Sequence, residues 1–162
     1  MALKPRDAEI AAYNLLKWNF ECTAVWLVGK PQTIKRGGRW IRLGGEDVFG
    51  CDVIGKRGTL HTKTNIWVQV TISDNITQKK KKLEEVPWGH CDLALIVQLR
   101  ESKDPANRRR KIFHFRVSEL SGDRWWVRED AIAVPREWFK LSYDPSAKPK
   151  KKKKDGANDG TL

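Results

Sequence analysis

The sequence predicts an α/β domain in which a central mixed β-sheet is flanked by helices. Two observations carry this prediction. Apolar residues recur at helical spacing near the start of the chain, and short runs rich in β-branched and aromatic residues follow, with a second helical pattern between the third and fourth main runs. Alternation of this kind is typical of layered α/β folds rather than of all-helical or all-β domains.

The first elements lie near the amino terminus. Residues 5–20 have apolar side chains at about 3.6-residue spacing, and Pro5 suits a first helical turn, so a helix is predicted there. Residues 22–28 read CTAVWLV and predict a strand. Residues 29–45 combine basic side chains with a Gly-Gly pair around Trp40, a composition that indicates a basic loop or hairpin.

The middle of the chain supplies two strands and the second helix. Residues 48–55 (VFGCDVIG) and residues 66–72 (IWVQVTI) predict strands, and residues 56–65 have turn chemistry. Residues 74–85 predict a helix that begins at a possible Asp-Asn cap and carries four consecutive lysines.

The last elements complete the predicted sheet. Residues 92–99 (DLALIVQL) are the clearest buried strand, residues 100–110 form a polar, basic loop, and residues 111–117 are another strand. A short strand at residues 125–127 and a short helix near residues 134–140 follow.

The sequence divides into a domain over residues 1–142 and a basic tail over residues 143–162. The tail consists mainly of Pro, Lys, Gly, Asp and Asn, which bury little apolar surface, so we expect it to be disordered.

The charge balance favours a polyanionic partner. The chain has 32 Lys and Arg against 20 Asp and Glu, a formal net charge of +12. Each phosphate that a cation neutralises releases condensed counterions, so a basic surface favours nucleic acid. The alternative is that the surplus only keeps the tail soluble, but lysines of the tail account for only part of it.

Cysteine usage and hydropathy indicate an intracellular protein without a membrane partner. Cys22, Cys51 and Cys91 are widely spaced, lack metal-binding spacing and predict reduced core residues. No signal-peptide region and no apolar stretch of membrane-spanning length is present. We therefore expect a cytoplasmic location, or the host cytoplasm if the source is viral.

Polar side chains on two neighbouring predicted strands suggest a metal site. Asp52 lies on one strand, and Gln69 and Thr71 share a face of the next because strand residues two apart point the same way. If the strands pair as a hairpin, Asp52 lies beside Gln69. Oxygen ligands of this kind suit Mg²⁺ or Mn²⁺. Asp47 at the strand entrance and Glu9 on the first helix are further candidate ligands.

A purely structural explanation is the alternative to a metal-binding role for each of these candidate residues. A lone aspartate is more often a surface or turn residue than a ligand, and a glutamate such as Glu9 is favoured in a first helical turn by the helix dipole alone. However, Asp52 and Gln69 are flanked by apolar residues, and a buried polar group needs partners.

These motifs resemble the PD-(D/E)XK nucleases, in particular archaeal and phage Holliday-junction resolvases. Members of that superfamily have a glutamate on the first helix, an aspartate on one strand, an E-x-K pair on the next, and then a helix and two strands. Here R-D-A-E puts Glu9 near the helix glutamate, D-V-F-G-C-D-V-I-G, which contains Asp52, resembles the aspartate strand, and Gln69-Val-Thr71 falls where E-x-K is expected. The resemblance spans roughly residues 6–118.

The resemblance implies a restriction-endonuclease-like (PD-(D/E)XK) core and a metal-dependent endonuclease that cleaves branched DNA as a homodimer. Mg²⁺ or Mn²⁺ would lower the pKa of the attacking water and stabilise the leaving oxygen. Glu9, Asp52, Gln69 and Thr71 would then be catalytic, with Asp47 as a further metal ligand.

Two departures from the family pattern keep alternatives open. Gln69 replaces an acidic ligand, and Thr71 replaces a lysine whose charge Lys79 or Lys82 on the following helix could supply. The main alternative is therefore a catalytically inactive nuclease-fold module that binds DNA, and a weaker one is a restriction-like or RNA-directed nuclease.

The candidate DNA-binding residues surround Trp40, which could stack on an unpaired base or could simply anchor its loop. The other members of this group are all basic: Lys35, Arg36, Arg39, Arg42 and Lys80.

Overall fold

The largest element of the fold is a seven-stranded sheet with helices on both faces. The computed structural model describes residues 2–28, 32–43, 49–58 and 63–147. In chain order, the strands are β1 (Ala24–Leu27), β2 (Gln32–Arg36), β3 (Arg39–Leu43), β4 (Val53–Gly58), β5 (Lys63–Thr71), β6 (Asp92–Lys103), β7 (Lys111–Ser121), β8 (Arg124–Val127) and β9 (Ile132–Val134). The helices are α1 (Pro5–Asn14), a π-helical continuation of it (Leu15–Asn19), α2 (Thr77–Glu84) and a 3-10 turn (Arg136–Phe139).

The sheet is mixed, as the sequence predicts. Its strand order is β1-β4-β5-β6-β7-β8, and β9 also pairs with β7. Strands β5 and β6 are parallel and are joined by α2, whereas the other pairs are antiparallel. Strands β2 and β3 form a separate hairpin. The α/β class and the central mixed sheet flanked by helices are therefore confirmed.

Helix α1 packs on one face of the sheet, called here the α1 face. Small residues line the contact surface of the helix, and Ile66, Val68 and Val70 of β5 lie in the same buried cluster. The approach is close at Gly55, where an added Cβ would lie 2.9 Å from the Cys22 sulfur. A side chain at Gly55 would therefore push the sheet away from the chain that follows α1.

Helix α2 covers only part of the opposite face, called here the α2 face. Leu83 is its buried residue and forms a cluster with Cys51 and Ile96, against which Trp67 packs. The Trp88 indole donates to the Leu83 carbonyl at 2.7 Å and so ties the end of the helix to the next segment. Side chains alternate between faces along a strand. The polar residues that alternate with the α1-face core therefore project on the α2 face.

Several predicted element boundaries were wrong, for physical reasons that the structure makes plain. Strand β4 begins at Val53 rather than at residue 48, because Phe49 and Gly50 have φ values of 53° and 75° and turn the chain away from the sheet. Strand β6 extends into the predicted polar loop as far as Lys103, because antiparallel pairing from Arg100↔His114 to Lys103↔Lys111 satisfies backbone groups whatever the side chains are.

Cys91, predicted to be a core residue, is exposed, and so are two tryptophans that lie on strands. Trp26 and Trp126 lie on the outer strands β1 and β8, and Cys91 lies in the connection before β6. Outer strands have fewer neighbours to cover them than central strands, so the apolar character of a strand residue overstates its burial there.

The described chain continues past the predicted domain end at residue 142. Tyr143 packs edge-on against Trp18, with ring centroids 6.0 Å apart. The predicted tail lies mostly in residues 148–162, outside the described residues. Among the helices of the described chain, none has the length and apolar character needed to cross a membrane.

Candidate functional site

Asp52 and Gln69 are in direct contact on the α2 face. The Gln69 Nε2 donates to the Asp52 Oδ2 at 3.1 Å, and Gln69 is buried. The pairing of Val53 with Val68 places the two residues opposite each other where β4 begins. The sequence therefore located a real polar contact between the two strands.

The position of Asp52 depends on the turn that precedes it. The backbone amide of Asp52 donates to the Val68 carbonyl, whereas the Val70 amide donates to the Asp52 Oδ2 at 2.8 Å. The carboxylate thus serves as the acceptor for Val70 at the point where Phe49 and Gly50 leave the sheet. An added Cβ at Gly50 would lie 3.7 Å from the Gln69 Oε1, so the amide oxygen faces this turn.

Thr71 lies two residues beyond Gln69, on the same face and at the carboxyl end of β5. Its hydroxyl oxygen accepts a hydrogen bond from the Ser73 amide at 3.0 Å. Thr71 also lines an open polar pocket of about 410 Å³ together with Lys79 and Lys82 of α2. The structure therefore brings three of the predicted catalytic residues to one pocket.

The pocket has further polar residues that the sequence reasoning missed. The Asn75 side-chain oxygen accepts a hydrogen bond from the backbone amide of Thr77, the first residue of α2, at 3.1 Å. Behind Thr71, the paired strand contributes Gln98, whose Nε2 donates to the Ser73 carbonyl. A glutamine near the end of the strongest apolar run was the available signal, because a buried amide is costly without partners. Ser73, Asn75 and Gln78 complete the pocket lining.

The Gln98 side chain is almost fully buried. Its Oε1 has no hydrogen-bond partner within the described part of the chain. A buried acceptor of this kind usually meets a water, an ion or a ligand group.

Glu9 lies on the helix that covers the opposite face. Its carboxylate forms an ion pair with Arg6 at 2.9 Å. This ion pair does not test the assignment of Glu9 as a catalytic residue and metal ligand, which stays a prediction. Asp47 lies outside the described residues, so its role as a metal ligand stays a prediction.

The candidate DNA-binding residues fall on two separate elements. Trp40, on β3, is 70% exposed, and the Lys35 ammonium lies 6.0 Å from the centre of its ring. Lys80, on α2, instead lies 5.8 Å from the ring of Trp125. Arg39 pairs with Arg36 in the β2–β3 register, and Arg42 lies on the same hairpin.

A second carboxylate network lies at the amino end of β6. Asp92 accepts hydrogen bonds from the Gly89 amide, the Trp67 indole and the Asn65 amide at 2.8–3.1 Å. Although its partial burial acts to raise the pKa, these donors hold the pKa of Asp92 below its ordinary value. This carboxylate anchors the Trp67 side chain and is therefore a structural element beside the site.

The donor chemistry of the site suits a hard divalent cation. A carboxylate, an amide oxygen and a hydroxyl, from Asp52, Gln69 and Thr71, are oxygen ligands of the kind that Mg²⁺ and Mn²⁺ accept. No group of three His, Cys, Asp or Glu side chains suited to metal binding occurs among residues 2–28, 32–43, 49–58 and 63–147.

Comparison with protein-family models, with curated proteins and with solved structures finds no match to this chain.

Proposed function

We propose that this chain is a metal-dependent endonuclease with a PD-(D/E)XK-type core, and that it cleaves branched DNA as a two-fold dimer. The contact between Asp52 and Gln69, next to a pocket lined by Lys79 and Lys82, is the observation that carries the proposal. A dimer is part of it because symmetric pairs are the commonest oligomers and a four-way junction takes two related nicks.

The order and pairing of the elements support this core. Leaving out the β2–β3 hairpin, the chain runs α1, β1, β4, β5, α2, β6 and β7, which contains the order that the resemblance implies with β1 as an additional strand. Strands β4 and β5 are antiparallel, and α2 connects β5 to a parallel β6. Gln69 and Thr71 lie toward the carboxyl end of the parallel β5–β6 pair, the region where ligands of open α/β sheets commonly bind.

Asp52 and Gln69 would hold the ion, and Thr71 lies on the same face of β5. Gln69 would have to present Oε1 rather than the Nε2 that now contacts Asp52, because an amide binds a cation through its oxygen. A bound Mg²⁺ or Mn²⁺ would supply charge for the phosphate oxygens and would lower the pKa of a water molecule.

The lysines of α2 would supply the positive charge that the family places at the position of Thr71. Lys79 and Lys82 lie one turn apart on the helix and line the pocket that begins at Thr71. An ammonium group there can pair with a phosphate oxygen and stabilise charge that develops during phosphodiester cleavage. Lys81 of the same helix is exposed and outside this lining, so it offers an internal control.

The test is a cleavage assay on a labelled synthetic four-way junction with Mg²⁺, with Mn²⁺ and with EDTA. We expect paired nicks with either metal and intact junction in EDTA. Duplex, flap, single-stranded DNA and RNA substrates, run in parallel, identify a restriction-like or RNA-directed activity. An uncut junction under both metals, with the protein folded and bound to the junction, would refute the proposal.

A second candidate function is a DNA-binding module that retains the fold without activity. Two observations favour it: the Gln69 and Thr71 substitutions, and the structural use of Asp52 as the acceptor for the Val70 amide. This candidate predicts salt-sensitive junction binding with no nicking under any divalent ion.

A further inference from the structure

A second cationic surface lies at the tip of the β6–β7 hairpin, away from Asp52. It is a groove of about 520 Å³, within the size range of ligand pockets. Its floor is formed by Phe113 and Phe139, whose rings meet edge to face with centroids 5.2 Å apart. Four cations surround this floor, and we call the whole surface the hairpin groove: Arg109, Lys111, Arg136 and Lys140.

The groove continues along the hairpin rather than ending at its aromatic floor. A neighbouring open pocket of about 430 Å³ shares Arg109 and Arg136 and adds Asn107 and Arg110. The two pockets share two arginines, and together five basic side chains line them. A surface with this many cations fits a chain of repeating negative charges better than it fits a single small anion.

Most of the positive charge in the groove has no ion-pair partner among the described residues. Lys111 is paired with Glu101 at 2.9 Å. In the described portion of the chain, however, neither Arg109 nor Arg136 forms an ion pair. The one acidic residue of the lining is Asp7, whose carboxylate accepts from the backbone amide of Lys4 at the start of α1. The groove therefore has a net positive charge.

The groove lies at the same end of the sheet as the candidate site but on the other face. Phe113 belongs to the α1-face core, and it pairs with Glu101, three residues beyond Gln98, the partner of Thr71. At roughly 3.3 Å per residue and 4.8 Å per strand, Thr71 and Phe113 are about 14 Å apart within the sheet plane. A polymer that wraps the end of the sheet can therefore contact both places.

We infer that the hairpin groove binds a single strand of nucleic acid, with phosphates between Arg109 and Arg136 and a nucleoside over the Phe113–Phe139 floor. The cations match the phosphates, and an apolar floor matches a sugar or an unpaired base, as in other single-strand grooves. The anionic, polymeric character of the ligand follows from the groove itself. Its identification as DNA rests on the proposed function, and there the groove would hold a strand that leaves the junction.

The test measures binding of a fluorescent oligothymidylate to the full chain by anisotropy in EDTA, as a function of salt. The groove variant is Arg109→Gln/Arg136→Gln, and Lys140→Gln is a second, independent groove variant. The matched control is Lys63→Gln/Arg124→Gln, which also removes two exposed cations. Both control residues lie at the opposite end of the sheet, because Lys63 begins β5 and Arg124 follows the end of β7.

A contact with one phosphate of a single strand changes the salt slope by about 0.7, which is about fivefold in affinity between 1 M and 0.1 M salt. Loss of two contacts should therefore weaken binding about 25-fold at about 0.1 M salt and reduce the slope by about 1.4. The single variant should lose about fivefold, and the control should bind like the wild type.

Equal losses in the groove and control double variants, or no loss in either groove variant, would overturn the inference. Thermal midpoints of all variants, compared with the wild type, establish that each remains folded. Since no metal is present, these outcomes do not depend on cleavage. If junctions stay uncut while the groove variants lose oligothymidylate binding, the endonuclease proposal fails and the groove assignment stands.

Discussion

Replacement of Asp52 by asparagine and by alanine separates its chemical role from its structural role. In the wild type, the Asp52 Oδ2 accepts from the Val70 amide at 2.8 Å and from the Gln69 Nε2 at 3.1 Å. Asparagine keeps one oxygen acceptor for the Val70 amide but lacks the charge. Alanine removes the acceptor as well and leaves a buried donor unsatisfied.

The expected magnitudes follow from these contacts. Val70 is only 7% exposed, so loss of its acceptor in Asp52→Ala should cost about 1–3 kcal/mol of unfolding free energy. Asp52→Asn should cost about 1 kcal/mol for each of its two hydrogen bonds, because the bonds from Val70 and Gln69 change from a charged to a neutral acceptor. If Asp52 holds a metal, loss of about 4 kcal/mol of metal-derived stabilisation lowers the cleavage rate about 10³-fold in both variants.

Urea unfolding followed by tryptophan fluorescence gives the two free energies, and cleavage of a labelled junction under single-turnover conditions gives the rates. Junction binding in EDTA should be close to that of the wild type for Asp52→Asn. A fully active Asp52→Asn variant would show that cleavage does not need the Asp52 charge. Equal stability of Asp52→Ala and the wild type would show that the Val70 contact contributes nothing.

Three further predictions concern the surroundings of the site. Lys79→Gln and Lys82→Gln should each slow junction cleavage about tenfold, whereas Lys81→Gln should leave the rate unchanged; equal effects of all three would point to general charge rather than to the pocket. Trp40→Ala should weaken junction binding by about 1–3 kcal/mol in a titration without moving the thermal midpoint, because the ring is 70% exposed; a lowered midpoint with unchanged binding would favour loop anchoring. Asp92→Asn should lower stability by about 1 kcal/mol at neutral pH, and because the folded-state pKa is depressed, the difference should shrink progressively as pH falls from about 4 through the folded-state pKa; urea titrations that show no decrease over this range would contradict this origin.

Much of the fold was predictable because the hydrophobic pattern of each central element is local. The β5 sequence places Ile66, Val68 and Val70 on one face, and the structure buries all three under α1. The same alternation places Gln69 and Thr71 together on the other face, so the sequence alone predicts that these two polar side chains point the same way. Patterns of period two specify faces even where they do not specify neighbours.

The errors arise where pairing or exposure overrides local pattern. Residues Arg100–Lys103 are polar, yet they extend β6 because β7 supplies hydrogen-bond partners. Trp26 and Trp126 have strongly apolar side chains, yet they lie on outer strands and remain exposed. Neither effect can be derived from a window of sequence, because both depend on which strand becomes the neighbour.

The exact geometry of the candidate site was likewise beyond the sequence. The positive φ at Phe49 is unusual for an aromatic residue, and this turn brings the Asp52 carboxylate to the Val70 amide. Phe49 contacts Trp67 edge to face, with centroids 5.4 Å apart, and this packing can offset the local strain. The glycine at position 50 was a signal for such a turn, but the direction of the turn depends on aromatic packing across the sheet.

The dual use of Asp52 has a consequence for metal binding. In the present geometry the Gln69 amide hydrogen bonds to the same oxygen that the Val70 amide uses, so the carboxylate is already stabilised before any ion arrives. An ion must compete with the Gln69 contact, and it gains a neutral amide oxygen in return rather than a second charge. Metal affinity at this pair should therefore be lower than at a two-carboxylate site.

Gln69→Glu would reverse both effects, because it removes the competing donor and adds a ligand charge. If Asp52 and Gln69 hold the ion, that substitution should lower the Mg²⁺ concentration needed for half-maximal cleavage, and if Asp52 serves only the Val70 amide, it should place two carboxylates together and destabilise the fold instead.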